Sequence, residues 1–171
     1  MKDQIANYTM YEGSFLTNAP VMEQTVNILR YRDPEDNEYN IIINRAMLVE
    51  DETPEAFCEK EIEALRNKLP GFQVEGKMLT HAIGPAKLPV VQVANNFLQD
   101  GERTRQVQSI MLLPRHSDYN PDNRAILIFT LTATGEEFTE YQRKHYVKII
   151  NSFNPKTGFI KIDATIILTA R

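Results

Sequence analysis

The chain has 171 residues, 42% hydrophobic and 25% charged, with a formal net charge of −4. That length suits one domain with a sizeable core, and the composition excludes a disordered, collagen-like or low-complexity chain. An acidic balance without a basic cluster argues against sequence-independent binding to nucleic acid or anionic lipid. One cysteine, Cys58, excludes an internal disulfide framework and a multi-thiolate metal site. The opening MKDQIANY lacks the apolar stretch of a secretory signal, and runs such as 125–129 (AILIF) are far too short to span a bilayer. The expectation is a cytoplasmic protein with no membrane insertion.

Strand-like runs dominate. The first two are 8–16 and 25–31, followed by an acidic turn at 33–38 and the β-branched run NIIINR at 40–45. Thr53 is placed to cap a helix with Pro54 at its first position, and Cys58, Ile62, Leu65 and Leu69 then recur at helical spacing. Leu69-Pro70-Gly71 ends it. Three longer strands are expected at 89–98, 104–113 and 124–132, the first two joined by Asp100-Gly101, a strong hairpin signal. Residues 116–123, polar and flanked or punctuated by Pro114 and Pro121, read as an exposed loop. A second helix is expected to start at Thr134-Gly-Glu-Glu137, with a capping-box spacing, and to bury Phe138, Tyr141, Ile149 and Phe153 before Asn154-Pro155 stops it. The fold class is therefore α+β: an antiparallel sheet flanked by two main helices, in one domain over 1–155. A tail over 156–171 holds another strand-like run at 159–168.

Enzyme chemistry has little to stand on. GxGxxG and GxxxxGK[ST] are absent, and no serine lies in GxSxG. His81, His116 and His145 have no partners at metal-ligand spacing. Asp118-x-Asn120-x-Asp122 lacks the glycine and later ligands of a calcium loop. Cys58, on the apolar side of its helix, reads as a structural thiol. The expectation is no catalytic residue, no metal and no cofactor.

The sheet is more informative. Strand parity puts Asn40, Ile42 and Asn44 on one face and Ile41 and Ile43 on the other. Gln106, Gln108 and Ile110 oppose Val107 and Met111, and Ile126, Ile128 and Thr130 oppose Leu127, Phe129 and Leu131. One face is nearly pure hydrocarbon and is expected to receive both amphipathic helices. The other mixes aliphatic side chains with amides and hydroxyls. Such a face is either half-exposed or covered by a further layer, or it is a groove for an apolar ligand that also hydrogen-bonds.

The ordered strings YTMYEGSF (8–15), QTVNIL (24–29), NIIINR (40–45) and LPGF (69–72), with 101–108 and FTLT (129–132), resemble the DcrB-related, or Eag, chaperones of bacterial type VI secretion. The resemblance covers about residues 8–155. It implies a PsbP-like α/β sandwich and a homodimer. It also implies cargo: the N-terminal transmembrane segments of a secreted, PAAR-type effector, held soluble until loading onto the VgrG spike. Val26 and Ile28 match the family's aliphatic contact pair, Asn40 and Asn44 two small polar positions, Gln108 a glutamine, and Glu61 a helix position where glutamine is expected. Glu61 departs from that pattern by carrying a charge. Ile42, Gln106 and Ile128 share the mixed face and complete the expected effector-binding set. A PsbP-like module that binds a folded protein partner is the alternative.

Overall fold

The computed structural model describes residues 4–156 in full and the backbone of two further strands. In chain order the elements are β1 (Ile5–Thr9), β2 (Ser14–Asn18), β3 (Asn27–Arg32), β4 (Glu38–Met47), α1 (Pro54–Lys68), β5 (Gln73–Ile83) and β6 (Leu88–Gln99). They continue as β7 (Glu102–Leu112), β8 (Ala125–Thr134), α2 (Glu140–Ser152), β9 (Phe159–Ile162) and β10 (Thr165–Leu168). Six strands form one antiparallel sheet in the order β3-β4-β8-β7-β6-β5; β1-β2 and β9-β10 are separate two-stranded sheets. The α+β expectation holds. The 156–171 tail lies largely outside the described residues, apart from the β9–β10 pairing.

Local chemistry explains most boundaries. Thr53 accepts from the Ala56 amide, Pro54 begins α1, and the Leu69 amide closes onto the Leu65 carbonyl. Asp100 and Gly101 both take positive φ, 51° and 80°, as a two-residue turn between β6 and β7 requires. Asp33 organises the β3–β4 turn: Oδ1 accepts from the Glu35 and Asn37 amides at 3.0 and 2.8 Å, and Oδ2 from Asn37 Nδ2 at 3.1 Å. Thr139 Oγ1 also reaches Asp33 Oδ2 at 3.4 Å, tying that turn to the start of α2.

Several expectations need correction. The run 8–16 is a hairpin, because the chain turns at Met10–Gly13, where the Met10 amide donates to the Gly13 carbonyl. α2 is capped five residues later than expected, by a reciprocal Thr139–Gln142 box, and buries Gln142, Tyr146 and Ile150; Tyr141 is half exposed. β5 was not expected at all. Its alternation is broken by a register shift between Glu75 and Leu79, where Gly76 adopts a φ of 70°. The 116–123 loop is not simply exposed: Asn120 is fully buried and bonds four backbone groups, the Leu113 and Pro114 carbonyls and the Arg124 and Ala125 amides.

The largest correction concerns the helices, which do not share a face. α2 packs with Tyr39, Ile41, Val90, Met111, Phe129 and Leu131, the hydrocarbon face. α1 packs with Val91, Val93, Ile110 and Ile126, on the mixed face. The physical reason is legible in parity: at its β6–β7 end the mixed face is as aliphatic as the other, so it too must be covered.

Candidate functional site

α1 crosses only the β6–β7 side of the mixed face, with Ile126 and Ile128 of β8 at its margin. Beyond it the face continues over β8, β4 and β3 with no helix packed on it, buried at Thr130, half-buried at Asn40, Ile42 and Asn44, and exposed at Ile28. Strand register arranges the side chains in rows across the strands. One row reads Ile28, Ile42, Thr130, Gln108, Val93. The next reads Arg30, Asn40, Thr132, Gln106, Asn95. A third holds Asn44, Ile128 and Ile110. Neighbouring strands stand about 4.8 Å apart, so each row sets a group of stated polarity at nearly regular intervals.

The two rows differ in kind. The first is aliphatic at its outer end, where Ile28 is 59% exposed although it is a large apolar side chain. The second is a run of amides and hydroxyls with unmet hydrogen-bonding capacity. Asn40 Oδ1, Gln106 Oε1 and both amide atoms of Asn95 are buried without a partner, as is Thr104 Oγ1 one position along β7 on the same face. Gln106 Nε2 does reach Thr132 Oγ1, at 3.4 Å. More than nine in ten buried polar groups are ordinarily paired, so five unmet atoms on one face mark it out.

The expected effector-binding residues therefore fall as follows. Ile28, Asn40, Ile42, Asn44, Gln106 and Gln108 lie together on the uncovered part of the mixed face. Asn44 Oδ1 accepts from Gln24 Nε2 at 3.4 Å. Ile128 is half-buried at the edge of the α1 core. Val26 precedes β3 and is exposed, and Glu61 is half-buried on α1. Asn95, Thr104 and Thr132 were not anticipated, and Thr130, placed on this face by parity, was not expected in the site. Asn95 had a signal: it continues the Val91, Val93 parity of an otherwise apolar strand.

On the opposite face three polar side chains are paired in series, although Arg105 Nε there is buried without a partner. Gln92 Nε2 donates to Ser109 Oγ at 3.0 Å, Ser109 Oγ meets Tyr146 OH at 2.6 Å, and Tyr146 OH donates to the Phe129 carbonyl at 3.1 Å. Burial pushes the Tyr146 phenol up. Tyr39 OH lies 2.8 Å from His145 Nδ1. Burial, and then the charges of Glu59, Glu61 and Glu55, push the Cys58 thiol up to about 11, which makes it a poor nucleophile at neutral pH. Among the described residues no group of three His, Cys, Asp or Glu side chains is placed to hold a metal ion. Within the same residues no helix is long and apolar enough to cross a membrane.

One solved structure shares this architecture. PA94 of Pseudomonas aeruginosa, a protein of unknown function, superposes with a TM-score of 0.64 at 18% identity, over 89% of this chain and 97% of its own. LpqN of Mycobacterium tuberculosis, involved in cell envelope biogenesis, gives a TM-score of 0.47 at 15% identity over 86% of this chain and 87% of its own. A search among curated proteins finds no match. The DcrB family model matches residues 12–152, and the chain belongs to the DcrB family.

Proposed function

We propose that the protein is a non-enzymatic cytoplasmic chaperone that shields the N-terminal transmembrane segments of a type VI secretion effector on the uncovered part of its mixed face, before the effector is loaded onto the VgrG spike. The observation that carries this reading is the pairing of an aliphatic row, exposed at Ile28 and half-buried at Ile42, with an amide row whose Asn40 and Gln106 oxygens lack partners. A transmembrane helix in water has both needs. Its apolar surface gains roughly 25 cal/mol per Å2 on burial, and its few polar side chains ordinarily bond neighbouring helices. The two rows supply a substitute for each, with α1 as a wall along one side. No cofactor or nucleotide is needed, because cargo leaves by passing to another surface.

The test is co-purification of a tagged effector N-terminal fragment with variants of this protein. Ile28→Asp and Ile42→Asp place a charge against the apolar surface of the cargo, where an unpaired charge is costly to bury. Both are expected to abolish capture while the circular dichroism melt stays cooperative. Gln108→Ala is expected to weaken capture less, by about 1–3 kcal/mol where a buried partner is left unmet. Full capture by folded Ile28 and Ile42 variants would remove this assignment. The openness of the face favours one other reading, docking of a folded protein partner. Binding of a folded partner with no affinity for an apolar helical fragment would select it.

A further inference from the structure

On the face away from the cargo surface, α2 packs over β4, β8, β7 and β6, and most of the edge strand β5 runs beside it. Two cavities occupy the space between them. One, of about 380 Å3, is lined by Lys77, Leu79, Phe138 and Arg143, and the other, of about 310 Å3, by His81, Ile83, Ile150 and Asn151. Gln92, Tyr146 and Val147 line both, so the two are consecutive chambers of one groove. The register shift widens its first chamber: from Glu75 to Leu79 the chain takes four steps along β5 against two, Ala94 to Gln92, along β6. The other end is shut. There the turn at Gly84 comes so near the end of α2 that a Cβ would lie 2.8 Å from the Phe153 carbonyl oxygen.

The groove is divided chemically along its length. Its floor asks nothing of a ligand, because His81 Nε2 lies 3.3 Å from Gln92 Oε1 and the chain of bonds continues through Ser109 and Tyr146 to the Phe129 carbonyl. Large apolar side chains stand on either wall, Leu79 at 51% and Val147 at 53% exposure. At the open end, Lys77 and Arg143 make no ion pair among the described residues. Arg143 Nη1 donates to the Phe138 carbonyl at 2.9 Å. Glu75, the one carboxylate that lines either chamber, is held by Arg105. Two uncompensated cations thus guard an apolar slot in a chain whose net charge is −4.

We propose that this groove binds a straight-chain fatty acid, its carboxylate between Lys77 and Arg143 and its hydrocarbon chain running past Val147 and Tyr146 toward Ile83. Each chamber reaches the size usual for a small-molecule site. Hydrocarbon leaving water drives entry, and charge-assisted hydrogen bonds at the mouth set its direction. The blind end favours a single slender chain over a folded partner, which would cover the opening without using its depth.

The site lies on the face opposite Ile28 and Ile42, so it stands or falls separately from the cargo assignment. The probe is laurate, titrated calorimetrically below its micelle threshold into the delipidated full chain. One saturable site per chain is expected. The double variant Lys77→Glu with Arg143→Glu should weaken binding by about tenfold or more, and Val147→Trp, which fills the junction of the chambers, should abolish it, both with a wild-type melt. Leu79→Trp takes its place if Val147→Trp does not fold. Dodecyltrimethylammonium, an equally long chain of opposite charge, should bind about tenfold more weakly than laurate, and Ile28→Asp should leave laurate binding unchanged. Absence of saturable laurate binding, equal binding of the two amphiphiles, indifference to the charge reversal or to the tryptophan, or loss of binding in Ile28→Asp would each overturn the proposal. So would binding of anionic phospholipid vesicles or of an acidic amphipathic peptide, with none of laurate.

Discussion

The two faces of the six-stranded sheet solve the same burial problem in different ways. Beneath α2, Ile41, Phe129, Leu131 and Met111 are at most 3% exposed, and the polar side chains Gln92, Ser109 and Tyr146 bond one another in series. Beneath and beside α1, aliphatic packing ends at Ile126 and Ile128, and amides follow whose atoms find no partner. One face is nearly finished within the chain, Arg105 Nε being its one buried polar side-chain atom without a partner among the described residues. The other is finished only when something else is added, and that difference separates structural residues from functional ones more sharply than residue type does.

The largest test of the finished face is Phe129→Ala. The ring packs in the α2 core and lies 5.7 Å, centroid to centroid, from Phe153. Its loss should cost about 3–5 kcal/mol through the cavity left behind, visible as a lower denaturant midpoint at unchanged slope, with cargo capture by the remaining folded protein intact. A loss below about 1 kcal/mol would mean that this face is not the core.

The unfinished face should respond with the opposite sign. Asn95→Val removes two buried, unbonded amide atoms from a position that is 1% exposed. Stability should rise by about 1–2 kcal/mol, while capture of a polar-bearing effector segment falls. A destabilised Asn95→Val variant would show that the amide is satisfied in solution.

A smaller, pH-dependent effect belongs to the edge where the two faces meet. Burial of Asp33 would raise its pKa, but the amide and side chain of Asn37, the Glu35 amide and Thr139 outweigh it and hold the carboxyl below its ordinary value. A carboxyl lowered in the native state binds protons less readily there than in the unfolded chain. Its contribution is therefore complete above the ordinary carboxylate range and is lost as pH falls through the lowered native value. Asp33→Asn should lower the melting temperature at pH 7 and converge with the wild type in acid. A constant difference at all pH values would locate the effect in packing.

Much of this was legible in the sequence because strand parity is rigid. Asn40, Ile42, Asn44, Gln106 and Gln108 fall on one face whatever covers it, and Thr53-Pro54 and Asp100-Gly101 fix their cap and turn through side-chain and backbone chemistry alone. What escaped depends on tertiary context. The alternation of β5 is interrupted at Gly76. The Thr134 capping signal lost to Thr139, whose neighbour Gln142 closes the box and whose hydroxyl also reaches Asp33. The placement of α1 could not follow from its own pattern, because an amphipathic stripe states that a helix has a buried side without naming the surface it meets. Asn95 was hidden for a related reason: only the assembled rows show that its amide has neighbours on the same face and bonds to none of them.

The order β3-β4-β8-β7-β6-β5 also has a consequence in time. β4 pairs with β8, so Tyr39 waits for Ala133. A ribosome releases residues in sequence, and the β3–β4 hairpin emerges long before its partner strand exists. Through that interval the meander β5-β6-β7 can form by local turns, while β4 keeps an unpaired edge and an uncovered apolar face. Pairings of such long sequence separation close slowly, on the millisecond-to-second scale typical of sheet-rich domains. Joining β4 to β8 is then expected to be the slow step of folding, and the surface proposed to shelter another chain's apolar segments is completed by the last strand to be made before α2.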